Sequence, residues 1–192
     1  MAARLLRRSD HRRMPWKNGG GETIEIAVGP DGAGLDDFDW RVSLARVERD
    51  GPFSVFPGID RTLSIVEGRG IALAFGGGRT VTLTGGDAPF AFPGDVAVEG
   101  RLIDGPLVDL NVMTRRGTAR SEVSRFTGSL QIDQQSAEAS IVYCHAGRCR
   151  VVTEDASHWV GAGDALMVVE PRHVSIDADA EAYQVRILLA GA

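Results

Sequence analysis

The chain has 192 residues, 43% hydrophobic and 24% charged, with a net charge of −5 and a mean hydropathy of −0.06. That length builds one domain or two small ones around a real core, and no stretch approaches the roughly 18 apolar residues of a membrane-crossing helix. The acidic balance offers no footprint for nucleic acid, and the clusters Arg4, Arg7, Arg8, Arg12, Arg13 and Arg115, Arg116, Arg120 lack the interleaved aromatics of single-strand binders, so they read as solvated surface charge.

The first 13 residues carry five arginines with no apolar run behind them, so they are no secretory signal, and the expected location is the cytoplasm. Residues 2–8 and 136–140 are each compatible with a turn or two of helix; helix signals are thin elsewhere. The rest alternates with period two. Ile24 and Ile26 alternate with Thr23 and Glu25, and Trp40, Val42 and Leu44 with Arg41, Ser43 and Ala45. Ile71, Leu73 and Phe75 lead into a triple-glycine turn, and Leu110 and Val112 alternate with Asp109, Asn111 and Met113. Short alternating segments punctuated by Gly and Pro predict an all-β sandwich or barrel.

A weak internal repeat predicts two barrels. Glu67-Gly68-Arg69 and Ala146-Gly147-Arg148 each open a strand, and Gly94-Asp95 and Gly163-Asp164 each precede another. Gly94 and Gly163 are expected to take the positive φ of a tight turn, with the following Asp capping its amides. This rhythm is that of a cupin barrel, whose closure removes exposed strand edges. The polar segment 114–127 is expected to be the crossover. It places an N-terminal cupin (jelly-roll) barrel with the ligand pocket in residues 1–117 and a degenerate C-terminal one in 118–192.

No His-x-His pair is present: the histidines are His11, His145, His158 and His173. Where a cupin's metal-binding histidines would stand, the chain reads Asp60-Arg61-Thr62-Leu63, and arginine is a poor metal ligand but a good anion ligand. His145 and His173 could meet in the second barrel, but two imidazoles without a carboxylate or thiolate read as structural. The expectation is no metal and no cofactor. Cys144 and Cys149 fit neither a disulfide framework nor a zinc pattern and read as ordinary strand residues. Among 21 basic residues Lys17 is the one lysine, either a survivor of compositional bias or a site that needs a compact ammonium.

Four blocks carry the candidate chemistry: Pro15-Trp16-Lys17-Asn18-Gly19-Gly20-Gly21-Glu22-Thr23, then Trp40-Arg41-Val42-Ser43-Leu44-Ala45, then Gly51-Pro52-Phe53-Ser54-Val55-Phe56-Pro57-Gly58-Ile59-Asp60-Arg61, and Gly105-Pro106-Leu107-Val108-Asp109-Leu110-Asn111-Val112-Met113. Residues two apart on a strand share a face, so Arg41 goes with Ser43 and Asp109 with Asn111. Those faces are either exposed or line the interior of a barrel open at one end. Enclosed, they would form a network or a ligand site, because unpaired polar groups are expensive to bury.

These four blocks, in this order, resemble the signatures of the HutD/Ves family. The resemblance is strong over 16–117 and weak beyond. It implies a bicupin fold and a cytoplasmic bacterial accessory of histidine utilisation, a pathway whose intermediates include the small carboxylates urocanate and formylglutamate. Carried onto the matching positions, the ligand-binding residues would be Trp16, Lys17, Asn18, Arg41, Ser43, Arg61, Asp109 and Asn111. In the first reading, Arg41 and Arg61 grip the carboxylates of a small anionic metabolite, Lys17 adds charge, Ser43 and Asn111 orient the ligand, and Trp16 and Phe53 wall the pocket. The second is a metal-free enzyme on a similar acid, with Asp109 or Glu25 as general base. The third is an interaction module whose aromatics serve core and interface; a homodimer is compatible with the first reading.

Overall fold

The computed structural model describes residues 2–133, 137–169 and 173–190, and the chain divides into two compact units. One is Arg12–Arg116; the other is Met1–His11 together with Gly117–Ala192. In chain order the strands begin β1 (Ala2–Leu6), β2 (Arg12–Pro15), β3 (Gly21–Gly29), β4 (Trp40–Val47), β5 (Gly51–Pro52) and β6 (Ile59–Glu67). They continue β7 (Ile71–Phe75), β8 (Thr80–Leu83), β9 (Phe90–Pro93), β10 (Val98–Leu102) and β11 (Leu107–Arg115). The last six are β12 (Ala119–Asp133), β13 (Ala137–Cys144), β14 (Arg148–Val152), β15 (Ser157–Gly161), β16 (Ala165–Val169) and β17 (His173–Leu189). Among the described residues there is no α-helix, and no helix long and apolar enough to cross a membrane.

The Arg12–Arg116 unit has a six-stranded sheet, β2-β3-β4-β11-β6-β9, and a four-stranded sheet, β5-β10-β7-β8. All pairings are antiparallel. Alternation sends Ala45, Val47, Leu63 and Ile65 of the first sheet against Ile71, Leu73, Leu83 and Val98 of the second. Complete burial of a side chain such as Leu63 or Leu73 contributes about 1.5–3 kcal/mol. The other unit is one strongly curved sheet, β1-β16-β13-β17-β14-β15, with β12 also paired to β17. The long β17 joins its parts, pairing with β14 through Ala178 and with β13 from Ala182 onward. Its core gathers Val142, Cys144, Cys149, Val151, Leu166 and Ile176. Cys144 and Cys149 are thus buried, unbridged strand residues.

Five local expectations give way to the structure. Residues 2–6 are a strand paired to β16 from Ala2↔Val169 to Leu6↔Ala165, followed by a 3-10 turn at Arg8–Asp10. The helix-forming composition of this stretch is a weak prior that sheet pairing overrides. The same pairing assigns the first eleven residues to the second unit instead of the N-terminal barrel. Ala137–Ser140 is likewise extended, inside β13; Ser136 lies outside the described residues. No long crossover exists, since β11 runs through Arg115 and β12 begins at Ala119. Finally, Gly163 has the expected positive φ of 84°, but Gly94 does not. Gly94 is required by close approach: a Cβ there would lie 2.9 Å from the Ile59 carbonyl oxygen and 3.2 Å from Arg61 Cγ.

Candidate functional site

Arg41 and Ser43 of β4, Arg61 of β6, and Asp109 and Asn111 of β11 share the face of the six-stranded sheet that looks toward the four-stranded sheet. Their rows follow from register. Met113 is directly opposite both Arg41 and Arg61, Asn111 opposite Ser43 and Leu63, and Asp109 opposite Ala45 and Ile65. The alternate residues Val42, Leu110 and Val112 are also buried, on the other face. The polar face borders a cavity of about 540 Å³, closed on its far side by Ile71 of β7, Gly100 of β10 and Gly51-Pro52 of β5. Of the two readings left open by periodicity, the barrel interior is the observed one.

Arg61 lines this cavity. It is 7% exposed, and its guanidinium carbon lies 5.0, 5.6 and 5.9 Å from the ring centres of Phe53, Phe92 and Phe56, within cation–π range. Nε donates to Asn111 Oδ1 at 3.5 Å and Nη1 to the Ser54 carbonyl at 3.3 Å, both long bonds to neutral acceptors. Burial lowers its pKa to about 10, opposed by Asp109 and assisted by Arg41, so it remains a cation at neutral pH.

Arg41 is equally buried but occupied. Nε donates to Glu25 Oε2 at 2.7 Å, an ion pair whose side chains are 6% and 14% exposed. Nη2 lies 4.0 Å from Met14 Sδ. Asp109 is 1% exposed, and its Oδ1 has no hydrogen-bond partner. Burial pushes this carboxyl up to about 7, with the Arg61 charge pulling the other way.

The remaining predicted residues divide. Trp16, Lys17 and Asn18 line the cavity mouth at the tip of the β2–β3 hairpin. Trp16 Nε1 donates to Thr23 Oγ1 at 2.9 Å, and Asn18 Oδ1 accepts from the Gly20 amide at 2.9 Å. Lys17 is exposed there. The glycine run serves strand packing, because a Cβ on Gly21 would fall 2.0 Å from the Arg46 carbonyl oxygen. Ser43 is completely buried, spends its hydroxyl on the Asn111 carbonyl at 3.4 Å and does not line the cavity.

Sequence reasoning missed Glu25 as the partner of Arg41, and Phe56 and Phe92 as walls around Arg61. Glu25 was legible as a same-face neighbour of Thr23, but a bulge between Glu25 and Ala27 sets its pairing, which no local pattern announces. A metal centre does not fit these residues: among those described, no three His, Cys, Asp or Glu are grouped to hold a cation, and Arg61 places a fixed positive charge in the cavity. In the second unit, His145 is joined through its backbone to Glu181 midway along β17, whereas His173 opens that strand.

Comparison with known proteins agrees with this architecture. The family model described as HutD matches residues 8–185. An uncharacterised 21.2 kDa protein in the hutC 3′ region of Pseudomonas putida is 37% identical over 147 residues, 77% of this chain and 76% of that protein. Protein Ves of Citrobacter koseri is 41% identical over 118 residues, 59% of this chain and 60% of its own length. The solved structure of HutD from Pseudomonas fluorescens SBW25 superimposes with a TM-score of 0.87 at 30% identity, covering 99% of this chain and all of that one. The fold is the cupin fold, present as two β-barrels in one chain. The chain belongs to the HutD family.

Proposed function

We propose that the cavity of the Arg12–Arg116 unit binds a small carboxylate metabolite of histidine catabolism, formylglutamate or urocanate, and that the protein is a cytoplasmic accessory with a regulatory role in that pathway. The observation that carries this reading is Arg61, a nearly buried guanidinium walled by three phenylalanines whose bonds go only to neutral acceptors. A cation in an apolar cavity, with Nη2 unspent among the described residues, attracts an anion that can fill its fork. Lys17 at the mouth suits the second carboxylate of a dianion. The gene context named for the Pseudomonas putida relative and the HutD family name support histidine utilisation as the source.

Calorimetric titration of the folded protein with urocanate and with formylglutamate tests the proposal. Saturable heat with either supports it, and no heat with both removes it. A second reading, a metal-free enzyme on the same class of acid, draws on Asp109, whose carboxyl near 7 suits proton exchange at neutral pH. Slow loss of substrate signal, abolished by Asp109→Asn, would favour it.

A further inference from the structure

The charged groups inside the cavity are unequal in their partners. Arg41 is neutralised by Glu25 at 2.7 Å. Among the described residues Arg61 has only neutral hydrogen-bond acceptors, and the carboxylate that acts on its charge is Asp109, which lines the same cavity and whose Oδ1 is buried without a hydrogen-bond partner. We propose that Asp109 is a built-in competitor for the charge of Arg61, so that an anion enters this cavity together with one proton, which Asp109 takes up. The inference rests on the reading of the cavity as an anion site and adds the regulation of that site by pH.

Arg61 and Asp109 are almost fully buried, so charges beside them are weakly screened by solvent. With Asp109 ionised, an entering carboxylate would make two anions share one cation where solvent screening is weak, and like charges at close range cannot both stay ionised cheaply. Protonation of Asp109 removes the conflict and releases Arg61 to the ligand. It also neutralises a buried carboxyl whose Oδ1 lacks a donor, which lowers the cost of keeping that group out of water. Burial has already brought this carboxyl to about 7, so the proton is cheaply taken at neutral pH.

The groups that face Asp109 are accounted for strand by strand. Arg61 of β6 is the cation that acts on it, while Arg41 of β4, paired with Glu25 of β3, acts on Arg61. Lys17 lies on the β2–β3 turn, and Arg49 and Asp50 lie between β4 and β5 at the cavity border. Arg49 donates to the Gly19 carbonyl and Asp50 accepts from the Leu102 amide. From β7 and β10 the lining residues are Ile71 and Gly100, neither of which titrates.

The test is calorimetric titration with sodium formate and with N-formylglutamate, whose carboxylates stay ionised from pH 6 to 9. Each is run in two buffers of different ionisation enthalpy, with wild type and Asp109→Asn. The expected wild-type result is uptake approaching one proton per anion at pH 8 and affinity about tenfold weaker at pH 8 than at pH 6. Asp109→Asn should take up no proton, show no such slope, and bind about tenfold more tightly than wild type at pH 8. Glu25→Gln should keep the slope. Binding with a flat pH profile, proton release, or a slope that survives in Asp109→Asn overturns the coupling alone. No heat from either anion at any pH overturns the anion site and the coupling together. The wild-type two-buffer measurement gives the proton count even if the variant does not fold.

Discussion

Arg41 and Arg61 are cross-strand partners of the same residue, Met113, one from each side of β11. The two guanidiniums therefore belong to one row of one face, and the charge of Arg41 helps to lower the pKa of Arg61. Their partners differ. Arg41 is held in an ion pair with Glu25, while Arg61 leans on three aromatic rings and two neutral oxygens. Identical side chains in equivalent positions thus divide into a structural arginine and an available one.

Arg61→Ala should weaken formylglutamate or urocanate binding by about 10- to 100-fold, the scale of a lost charge-assisted pair. Arg61→Lys should recover little, because an ammonium lacks the planar fork and sits less well among Phe53, Phe56 and Phe92. Calorimetry on both variants checks this; wild-type affinity in Arg61→Lys would mean that charge alone is read.

Glu25→Gln strands a buried Arg41. A loss of about 3 kcal/mol is expected, the usual cost of leaving one partner of a buried pair uncompensated. The double variant Glu25→Gln, Arg41→Met should regain much of it, since no buried charge remains. Urea unfolding of the two singles and the double measures the coupling, and strictly additive losses would show that the pair contributes nothing.

Asp109 makes stability depend on pH. Its folded value near 7 lies above the ordinary 3.8, so between them the folded chain holds a proton that the unfolded chain has released. This stability is fully present below about pH 4 and is lost as pH rises toward 7, with a full extent on the order of 4 kcal/mol. Unfolding at pH 5 and pH 8 should show Asp109→Asn gaining on wild type at the higher pH. An equal difference at both would place the carboxyl in contact with water.

Gly94→Ala should cost about 1–3 kcal/mol by overpacking, because the new Cβ meets the Ile59 carbonyl at 2.9 Å. Its second contact, Arg61 Cγ at 3.2 Å, predicts weaker anion binding as well. Denaturation and calorimetry separate the two, and a destabilised variant with unchanged affinity would show that Arg61 is not steered from this turn.

Much of the fold was legible because alternation is local. A pleated strand sends successive side chains to opposite faces, so Arg41 with Ser43, and Asp109 with Asn111, could be placed together before any pairing was known. The turn residues and the four ordered blocks gave the all-β class and the family. The β1–β16 pairing was illegible, because residues 2–8 are compatible with a turn or two of helix until Ala165–Val169 is laid beside Ala2–Leu6. Gly94 was legible as a turn but not for its reason, since its φ is ordinary and its constraint comes from Ile59 and Arg61.

By itself, then, the sequence determined which side chains share a face and that arginine stands where a metal-binding cupin would carry histidine. Only the tertiary structure decided that this face is enclosed, that Glu25 occupies Arg41, and that Arg61 meets only neutral hydrogen-bond acceptors among the described residues. The physical reason is that a face is set by the pleat of a few consecutive residues. Desolvation and charge are set by atoms brought from far along the chain, here Ile71 and Gly100 on the opposing sheet, and they make Asp109 a group that titrates near neutrality.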